Sequence, residues 1–245
     1  MKPCLAIPIY DHGETIGNVV ESLEYLGLPC LIVDDGSNEP TKSVLAELQQ
    51  RFDWVEVVHH DVNRGRGAAL RTAYQAAGAR GMSHVIQIDA DGQHNASDVP
   101  LFLDAIESNA DALILGEPIF DDSVPFHRLH GRKLSQGIVW LETLSLSVRD
   151  PLCGFRCIPL AVTLPLLDRT RTGDRMEFDP ELIIRLVRAG VPVINIPTRV
   201  QYHEEGVSHF RMVEDNLRIA WVYLRLALES IYTRSRTIEI SSRSV

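Results

Sequence analysis

Short apolar runs alternate with helical patterns along the first half of this chain. Five runs are bounded by polar turns and are predicted to be buried strands: Cys4–Ile9, Cys30–Val33, Val55–His59, His84–Ile88 and Ala112–Gly116. Between them, apolar residues recur at helical spacing and predict four helices: Thr15–Leu26, Thr41–Arg51, Gly65–Ala79 and Ser97–Ser108. This alternation indicates an α/β fold, with a mostly parallel, Rossmann-like sheet that helices cover on both faces.

The alternation loosens after Gly116. A polar stretch leads into four further predicted elements, which are a helix near Arg132–Ser145, a strand at Cys153–Ile158, a helix near Asp179–Ala189 and an apolar run at Val191–Ile196. No repeat or Pro/Ser-rich linker separates the halves. We therefore expect one domain over residues 1–209, with a first half at about 1–116 and a second half at about 117–209.

The composition is that of an ordinary globular protein. The chain has 245 residues, of which 45% are hydrophobic and 23% are charged, close to the usual averages. Its formal net charge of −9 argues against nucleic-acid binding, because that binding depends on basic residues that neutralise phosphates. An anionic ligand would need a metal ion or a few placed cations.

The cysteines and the hydropathy of the chain indicate the cellular compartment of the protein. The four cysteines lack the paired spacing of metal ligands, and they are Cys4, Cys30, Cys153 and Cys157. The N-terminal apolar stretch is too short for a signal peptide, and no uncharged run of about 18 residues could span a bilayer. We therefore expect a cytoplasmic protein.

The C-terminal segment, residues 210–245, is predicted to form a helix and a tail. Within Leu217–Tyr232, the charged residues Arg218, Arg225 and Glu229 share one narrow helical stripe, and apolar residues fill the rest. This pattern suits burial in the core, a homodimer or peripheral contact with a membrane surface.

Acidic residues follow three of the predicted strands. These strands lead into the segments Pro8–His12, Asp34–Ser37 and Asp89–His94. Each segment alone could be a turn. Together, however, they would place four carboxylates at the sheet edge where doubly wound folds bind ligands, namely Asp34, Asp35, Asp89 and Asp91. Mg²⁺ or Mn²⁺ would relieve the repulsion, since both prefer carboxylate oxygens.

Five motifs follow one another along the chain: Ile7–Tyr10, Val33–Ser37, Asn63–Leu70, Ile88–His94 and Asp150–Arg156. Together they resemble the ordered motif set of family 2 glycosyltransferases, and they are most similar to the dolichyl-phosphate mannosyltransferase-like branch. The resemblance extends from about Pro3 to His209. It implies the GT-A fold, a catalytic domain with a nucleotide-binding first half and an acceptor-side second half, and a metal-dependent, inverting transfer of a sugar from a nucleotide-sugar donor.

The resemblance also implies roles for individual residues on the donor side. Asp34 and Asp35 would hold the base and ribose. Asp89 and Asp91, with Gln93 close by, would place the metal on the donor diphosphate, so that Asp91 is catalytic through the metal's action as a Lewis acid. The remaining donor-binding residues implied are Pro8, Tyr10, Ala90, His203 and His209.

On the acceptor side, the resemblance implies a lipid-linked, polyprenyl-phosphate-like or other hydrophobic acceptor. Arg132 and Ser135 match the family's phosphate-binding pair, and their i, i+3 spacing puts both on one helix face. Arg128 lies one turn earlier if the helix extends back. The alternative interpretation is that these residues form a basic helix face that is exposed to solvent and binds no ligand. An enzyme of this kind would work peripherally at the inner membrane face of the cell envelope.

Two departures from the family's sequence pattern weaken the assignment of these roles to residues of this chain. The branch usually ends its motif set with Arg and Lys where this chain has His203 and His209, whose charge depends on pH. It also usually has Asn-Glu where this chain has Asp11 and His12, so the nucleotide is left open.

The need for a general base depends on the acceptor. A phosphate acceptor needs no base, whereas a hydroxyl acceptor requires a carboxylate within reach. The carboxylates available are Asp150, Glu177, Asp179 and Glu181. We rank Asp150 first, because the family motif carries it.

Other functions fit the sequence less well. A dinucleotide-binding oxidoreductase is suggested only by Gly65 and Gly67, and Leu70 replaces the third glycine of its motif. A sugar nucleotidyltransferase would be expected to carry a Gly-rich, basic loop after the first strand, where this chain has Tyr10–Glu14. A non-catalytic nucleotide-sugar-binding scaffold stays open as an alternative.

Overall fold

The computed structural model describes residues 1–119, 126–200 and 211–242, with side chains from 130 and up to 231 in the last two ranges. The described strands are β1 (Pro3–Ile9), β2 (Cys30–Asp34), β3 (Val55–His59), β4 (His84–Gln87), β5 (Leu113–Ile119), β6 (Arg156–Pro159) and β7 (Val193–Arg199). The described α-helices are α1 (Gly13–Leu23), α2 (Glu39–Arg51), α3 (Arg66–Ala79), α4 (Val99–Ser108), α5 (Phe126–Thr143), α6 (Leu160–Arg169), α7 (Phe178–Arg188) and α8 (Met212–Ser242).

The described strands form one sheet in the order β3-β2-β1-β4-β6-β5-β7. Only β6 runs antiparallel to its neighbours β4 and β5 among these strands; the other pairs are parallel. The predicted α/β class with a mostly parallel sheet is therefore confirmed. Strands β6 and β7 come from the second half of the chain and lie in the same sheet as the first half.

Alternating residues of the central strands supply two hydrophobic clusters, one on each face of the sheet. In β1, Cys4 and Ala6 pack in the cluster that contains residues of α3, α6, α7 and α8, whereas Leu5 and Ile7 pack in the cluster of α1, α2 and α4. Because both faces are covered, β1 and β2 are apolar almost without interruption.

Several sequence predictions differ from the structure, beyond shifts of a few residues at element ends. The strand predicted at Cys153–Ile158 begins only at Arg156, since Pro151 and Leu152 form a turn and the chain bends at Gly154. Helix α6 was missed; it contains Pro165, a residue that usually ends a helix pattern. Helix α5 begins at Phe126, so it includes Arg128, whose side chain lies outside the described residues.

Helix α8 matches the predicted C-terminal helix. It contributes Ile219, Val222, Tyr223 and Leu226 to the core. Across 1–119, 126–200 and 211–242, the structure has no helix with the length and apolar content that a bilayer crossing requires.

The turn after β2 touches the loop after β3 closely. Gly36 has a φ of +76°, and a Cβ built on it would lie 2.5 Å from the backbone carbon of Val62 and 2.6 Å from the nitrogen of Asn63. Only glycine avoids both the left-handed strain and the backbone collision.

We predict that Gly36→Ala destabilises the fold by roughly 2–4 kcal/mol, because backbone atoms must separate to admit the methyl group. The matched control is Gly81→Ala, which has a similar φ of +71° but nothing within 4 Å of the added Cβ; left-handed strain alone should cost about 1–2 kcal/mol. Urea unfolding measures both. Equal losses in the two variants would contradict the close approach.

Candidate active site

The loops that follow β1, β2 and β4 meet at the carboxyl edge of the sheet. The backbone N–H of Asp11 donates to the Ser37 hydroxyl (3.0 Å), and the N–H of Asn38 donates to the Asp11 carboxylate (2.7 Å). The Thr15 hydroxyl donates to the Ala90 carbonyl (2.6 Å). These bonds join the loops into one surface at the edge where such folds bind ligands.

Pro8 and Tyr10 lie at the end of β1, beside this surface. Pro8 is buried and pairs with Val33 of β2, whereas Tyr10 is partly buried. Tyr10 interacts electrostatically with Arg211, at the start of α8. The structure thus places both predicted pocket residues next to the acidic loops.

Asp34 is held entirely by the protein. It is fully buried, its Oδ1 accepts the N–H of Ser37 (2.9 Å), and its Oδ2 lies 2.9 Å from Nδ1 of His59. Burial alone would raise the pKa of Asp34, but the hydrogen bonds from Ser37 and His59 outweigh it and hold the pKa below its ordinary value.

Asp35 anchors the loop that leads into α3. Its two oxygens accept the backbone N–H groups of Arg64 (2.9 Å) and Gly65 (2.7 Å), and Oδ1 also lies 2.7 Å from Nδ1 of His60. The other ring nitrogen of His60 lies 3.0 Å from the Thr72 hydroxyl. Asp35 therefore fixes the backbone of the third family motif relative to the second.

Sequence reasoning missed the contributions of His59 and His60. Both lie where β3 ends, beside the carboxylates of β2. The signal was their position at the end of the strand predicted at Val55–His59, which His59 closes and His60 follows, because neighbouring parallel strands end at the same edge.

Asp89 follows β4 and is paired with Arg66 of α3. Nη2 of Arg66 lies 2.6 Å from Oδ1 of Asp89, and Nε2 of His94 lies 3.6 Å from Oδ2. Burial alone would raise the pKa of Asp89, but the positive charge of Arg66 outweighs it and holds the pKa well below its ordinary value. The carboxylate is therefore ionised.

The position of the Asp89 carboxylate depends on Gly154. A Cβ built on Gly154 would collide with the carboxylate of Asp89. The backbone of the Asp150–Arg156 motif thus touches the carboxylate only because residue 154 has no side chain.

Asp91 lies close enough to Asp89 to be affected by its charge. Its Oδ1 accepts the backbone N–H of Gln93 (3.0 Å). Burial and, next, the negative charge of Asp89 raise the pKa of Asp91 above its ordinary value. The structure therefore brings together two of the three predicted metal ligands as a repelling pair, with the Gln93 backbone beside them.

These residues fit a hard divalent cation. A cation between Asp89 and Asp91 would remove the like-charge repulsion, and their oxygens are the ligands that Mg²⁺ and Mn²⁺ prefer. Within the described ranges, no group of three or more His, Cys, Asp and Glu side chains could hold a metal on its own. A site of one or two carboxylates agrees with Mg²⁺ sites that take their other ligands from water and substrate phosphates.

Arg66 also belongs to a wider buried network. Its Nε donates to Oδ2 of Asp179 (3.1 Å), and the other oxygen of Asp179 lies 3.4 Å from Nη1 of Arg156. Arg156 is fully buried and donates from Nε to the carbonyl of Cys153 (3.0 Å). The network ties α3, α7 and β6 to the carboxylate that follows β4.

On the acceptor side, Arg132 of α5 is paired with Asp150. The distance from Nη1 of Arg132 to Oδ2 of Asp150 is 2.7 Å, and Oδ1 of Asp150 accepts the N–H of Leu152 (2.8 Å). Ser135 is buried beside Tyr223 of α8. The structure thus brings Arg132 and Asp150 together, while His203 and His209 lie outside the described residues.

The other base candidates are engaged within the protein. Glu181 is fully buried and accepts from Arg185 (2.8 Å) and from the N–H of Gly173 (3.0 Å). Oε1 of Glu177 accepts the N–H of Arg175 (3.3 Å).

Residues 4–160 match the profile of glycosyl transferase family 2. The chain belongs to this family. Among similar proteins, the polyprenol monophosphomannose synthase of Mycolicibacterium smegmatis is 28% identical over 226 residues, which cover 89% of this chain and 84% of that protein. A dolichyl-phosphate β-glucosyltransferase of Trichomonas vaginalis is 28% identical over 253 residues, covering 93% and 75%.

A solved structure supports the fold assignment. Glucosyl-3-phosphoglycerate synthase from Mycobacterium tuberculosis, in complex with Mn²⁺, UDP and glucosyl-3-phosphoglycerate, superposes with a TM-score of 0.67 at 17% identity, over 92% of this chain and 79% of that one. The family 2 glycosyltransferase has the predicted GT-A fold, and it is similar to proteins named for polyprenol and dolichyl phosphates. It is a nucleotide-sugar-dependent enzyme, so the nucleotidyltransferase and scaffold alternatives are not supported.

We predict that Asp34 contributes to stability in a pH-dependent way. Because its folded pKa lies below the ordinary 3.8, the ionised form stabilises the fold above that pH, and this contribution is lost as the pH falls through the folded pKa. The unfolding free energy of Asp34→Asn should therefore fall less steeply than that of the wild type, roughly between pH 5 and pH 2.5.

Urea unfolding at a series of pH values measures this effect. Asp53→Asn, which changes an exposed carboxylate just before β3, serves as the control and should keep the wild-type pH dependence. Indistinguishable slopes for the wild type and Asp34→Asn would contradict the role of the Ser37 and His59 bonds.

Proposed function

We propose that this enzyme transfers a sugar from a nucleoside diphosphate to the phosphate of a lipid-linked acceptor, with a divalent cation held at Asp89 and Asp91. One observation carries the proposal. The segment from Asp150 to Gly154 contacts Asp89 at one end and Arg132 at the other. A single short segment therefore connects the donor carboxylate with the cation proposed for the acceptor.

The donor side rests on the carboxylates of the strand ends. Asp89 and Asp91 would hold Mg²⁺ or Mn²⁺, with Gln93 close by, and the cation would neutralise charge that develops on the leaving diphosphate. Pro8 and Tyr10 would line the nucleotide pocket with Ala90. The Mn²⁺ and UDP in the solved relative support a divalent cation at this site.

Asp34 and Asp35 would act on the nucleotide through the loops that they hold. Both oxygens of Asp35 accept bonds from the protein, and so do both oxygens of Asp34. Contact with the base or ribose would then come from lone pairs that these bonds leave, or from the fixed backbone itself.

The acceptor side rests on Arg132 and Ser135 of α5. A guanidinium grips a phosphate through charge-assisted hydrogen bonds, and Asp150 fixes the position of Arg132 in the absence of ligand. The relatives named for polyprenol and dolichyl phosphates support a lipid phosphate. One of these relatives is named for mannose and the other for glucose.

A phosphate acceptor also suits the chemistry of the site. It is already anionic, so it attacks without a general base, and Asp150 can remain bound to Arg132 and to the N–H of Leu152. Direct attack on the sugar by the acceptor would invert the anomeric carbon in a single displacement. We expect the reaction at the cytoplasmic, inner face of a membrane.

We predict that Mn²⁺ together with the matching nucleotide sugar raises the unfolding free energy by about 2–3 kcal/mol when the ligand is present at 100 times its Kd. The increase should require the metal and disappear in Asp91→Asn, which keeps the shape of the side chain but removes its charge. Thermal shifts with UDP-, GDP- and TDP-sugars, with and without Mn²⁺, measure this.

Asp104→Asn is the control, since it changes an exposed carboxylate on α4 and should keep the full shift. Stabilisation by no donor, or a metal-dependent shift that survives in Asp91→Asn, would overturn the donor site.

We predict that Arg132→Ala raises the KM for a short-chain polyprenyl phosphate at least tenfold while leaving donor affinity unchanged, because a charge-assisted bond to phosphate contributes about 1.5–3 kcal/mol. The control is Arg149→Ala, which removes an exposed arginine next to Asp150. Initial rates and calorimetric donor binding supply both readouts. Equal losses in acceptor and donor affinity would count against the acceptor role.

A further inference from the structure

Helix α8 has a second apolar face, opposite the one that packs in the core. Residues such as Val222, Tyr223 and Leu226 are buried. A separate set of large apolar side chains on the same helix is more than half exposed: Leu217, Trp221, Leu224, Leu228 and Ile231. We call this set the α8 stripe.

The α8 stripe has the spacing of a helix-pairing seam. Its members are separated by 4, 3, 4 and 3 residues, which is the heptad spacing that faces a partner helix. Ala220 and Ala227 flank it on one side and leave room for a close approach. At 1.5 Å per residue, the stripe is about 21 Å long, and it contains no charged residue.

The charges of α8 are engaged by the protein itself. Arg225 pairs with the buried Glu181 of α7 (2.5 Å), and Glu229 pairs with Arg185 (3.1 Å). Arg218 lies 3.5 Å from Asp215. These side chains lie on the flank that faces α7, so they do not surround the α8 stripe with cations.

This charge arrangement favours a protein surface over a lipid bilayer as the partner that covers the α8 stripe. A helix that lies on an anionic membrane carries Lys and Arg along the border of its apolar face. Here the bordering arginines Arg218 and Arg225 are bound to carboxylates, so along the described part of α8 they do not supply such a cationic border. A second copy of the chain presents an uncharged stripe of the same kind.

Helix α5 widens the apolar surface. It contacts α8, with Ser135 beside Tyr223, and its outward residues Leu134 and Leu141 are exposed and one heptad apart. Two copies that meet here would pair both helices of each copy, as in a four-helix bundle.

We propose that the protein forms a homodimer through the α8 stripe. The twofold axis passes near Leu224, the central member, because a symmetric interface places the same patch on both subunits. The dimer interface is then next to α5, the helix that carries Ser135. This proposal does not depend on the identity of donor or acceptor.

Sedimentation equilibrium over a range of protein concentrations tests the proposal. The wild type should be a dimer, and Leu224→Asp should raise its dissociation constant at least tenfold. Leu217→Asp, at a more exposed position, should do the same. The control is Leu101→Asp, which places the same charge at an exposed leucine on α4 and should leave the dimer intact; thermal melting confirms that each variant folds.

A cross-link supplies a second readout. The four native cysteines are buried, so Leu224→Cys should be joined to its own copy by mild oxidation, whereas Val62→Cys, at an exposed position in another loop, should not. A monomeric wild type at every concentration would overturn the proposal, as would a Leu224→Asp dimer as stable as the wild type. A monomer that binds phosphatidylglycerol vesicles through the α8 stripe would assign the surface to lipid instead.

Discussion

The site depends on keeping the partly buried carboxylate of Asp89 ionised beside a second carboxylate of the same charge. Asp89 is held in this state by Arg66, and Arg66 is in turn held by Asp179. Burying a charge without a partner is costly, so α3, α7 and the end of β4 must meet in one arrangement. Gly154 adds the last condition, because a side chain at that position would displace the carboxylate.

The same constraint connects the two halves of the reaction. The pKa of Asp91 is raised by its burial and, next, by the negative charge of Asp89. A divalent cation between the two carboxylates would relieve their repulsion and could also bind a diphosphate. The motif that supplies Gly154 also supplies Asp150, which holds Arg132. A substitution at either end of this segment would therefore shift the residues at the other end, because only about four residues of backbone separate them.

Much of the fold could be predicted because it depends on local patterns. Apolar runs located the strands, and Asp and Gly residues after them located the acidic edge. The partners of those carboxylates could not be predicted, because Arg66 meets Asp89 and Asp179 only through tertiary contact, and neither spacing nor periodicity encodes such a meeting. Helix α6 was missed because its Pro165 resembles a breaker. The likeness to a family supplied the roles of Arg132 and Asp150, whereas their ion pair came from the structure.

The most direct test of the account is the position of the metal. Crystals of the enzyme with Mn²⁺ and the nucleoside diphosphate of its donor would give an anomalous peak at the manganese edge. The account predicts a peak about 2.0–2.2 Å from a carboxylate oxygen of Asp91, beside Asp89 and in contact with the diphosphate. A peak elsewhere in the molecule, or a diphosphate bound away from these two carboxylates, would contradict it.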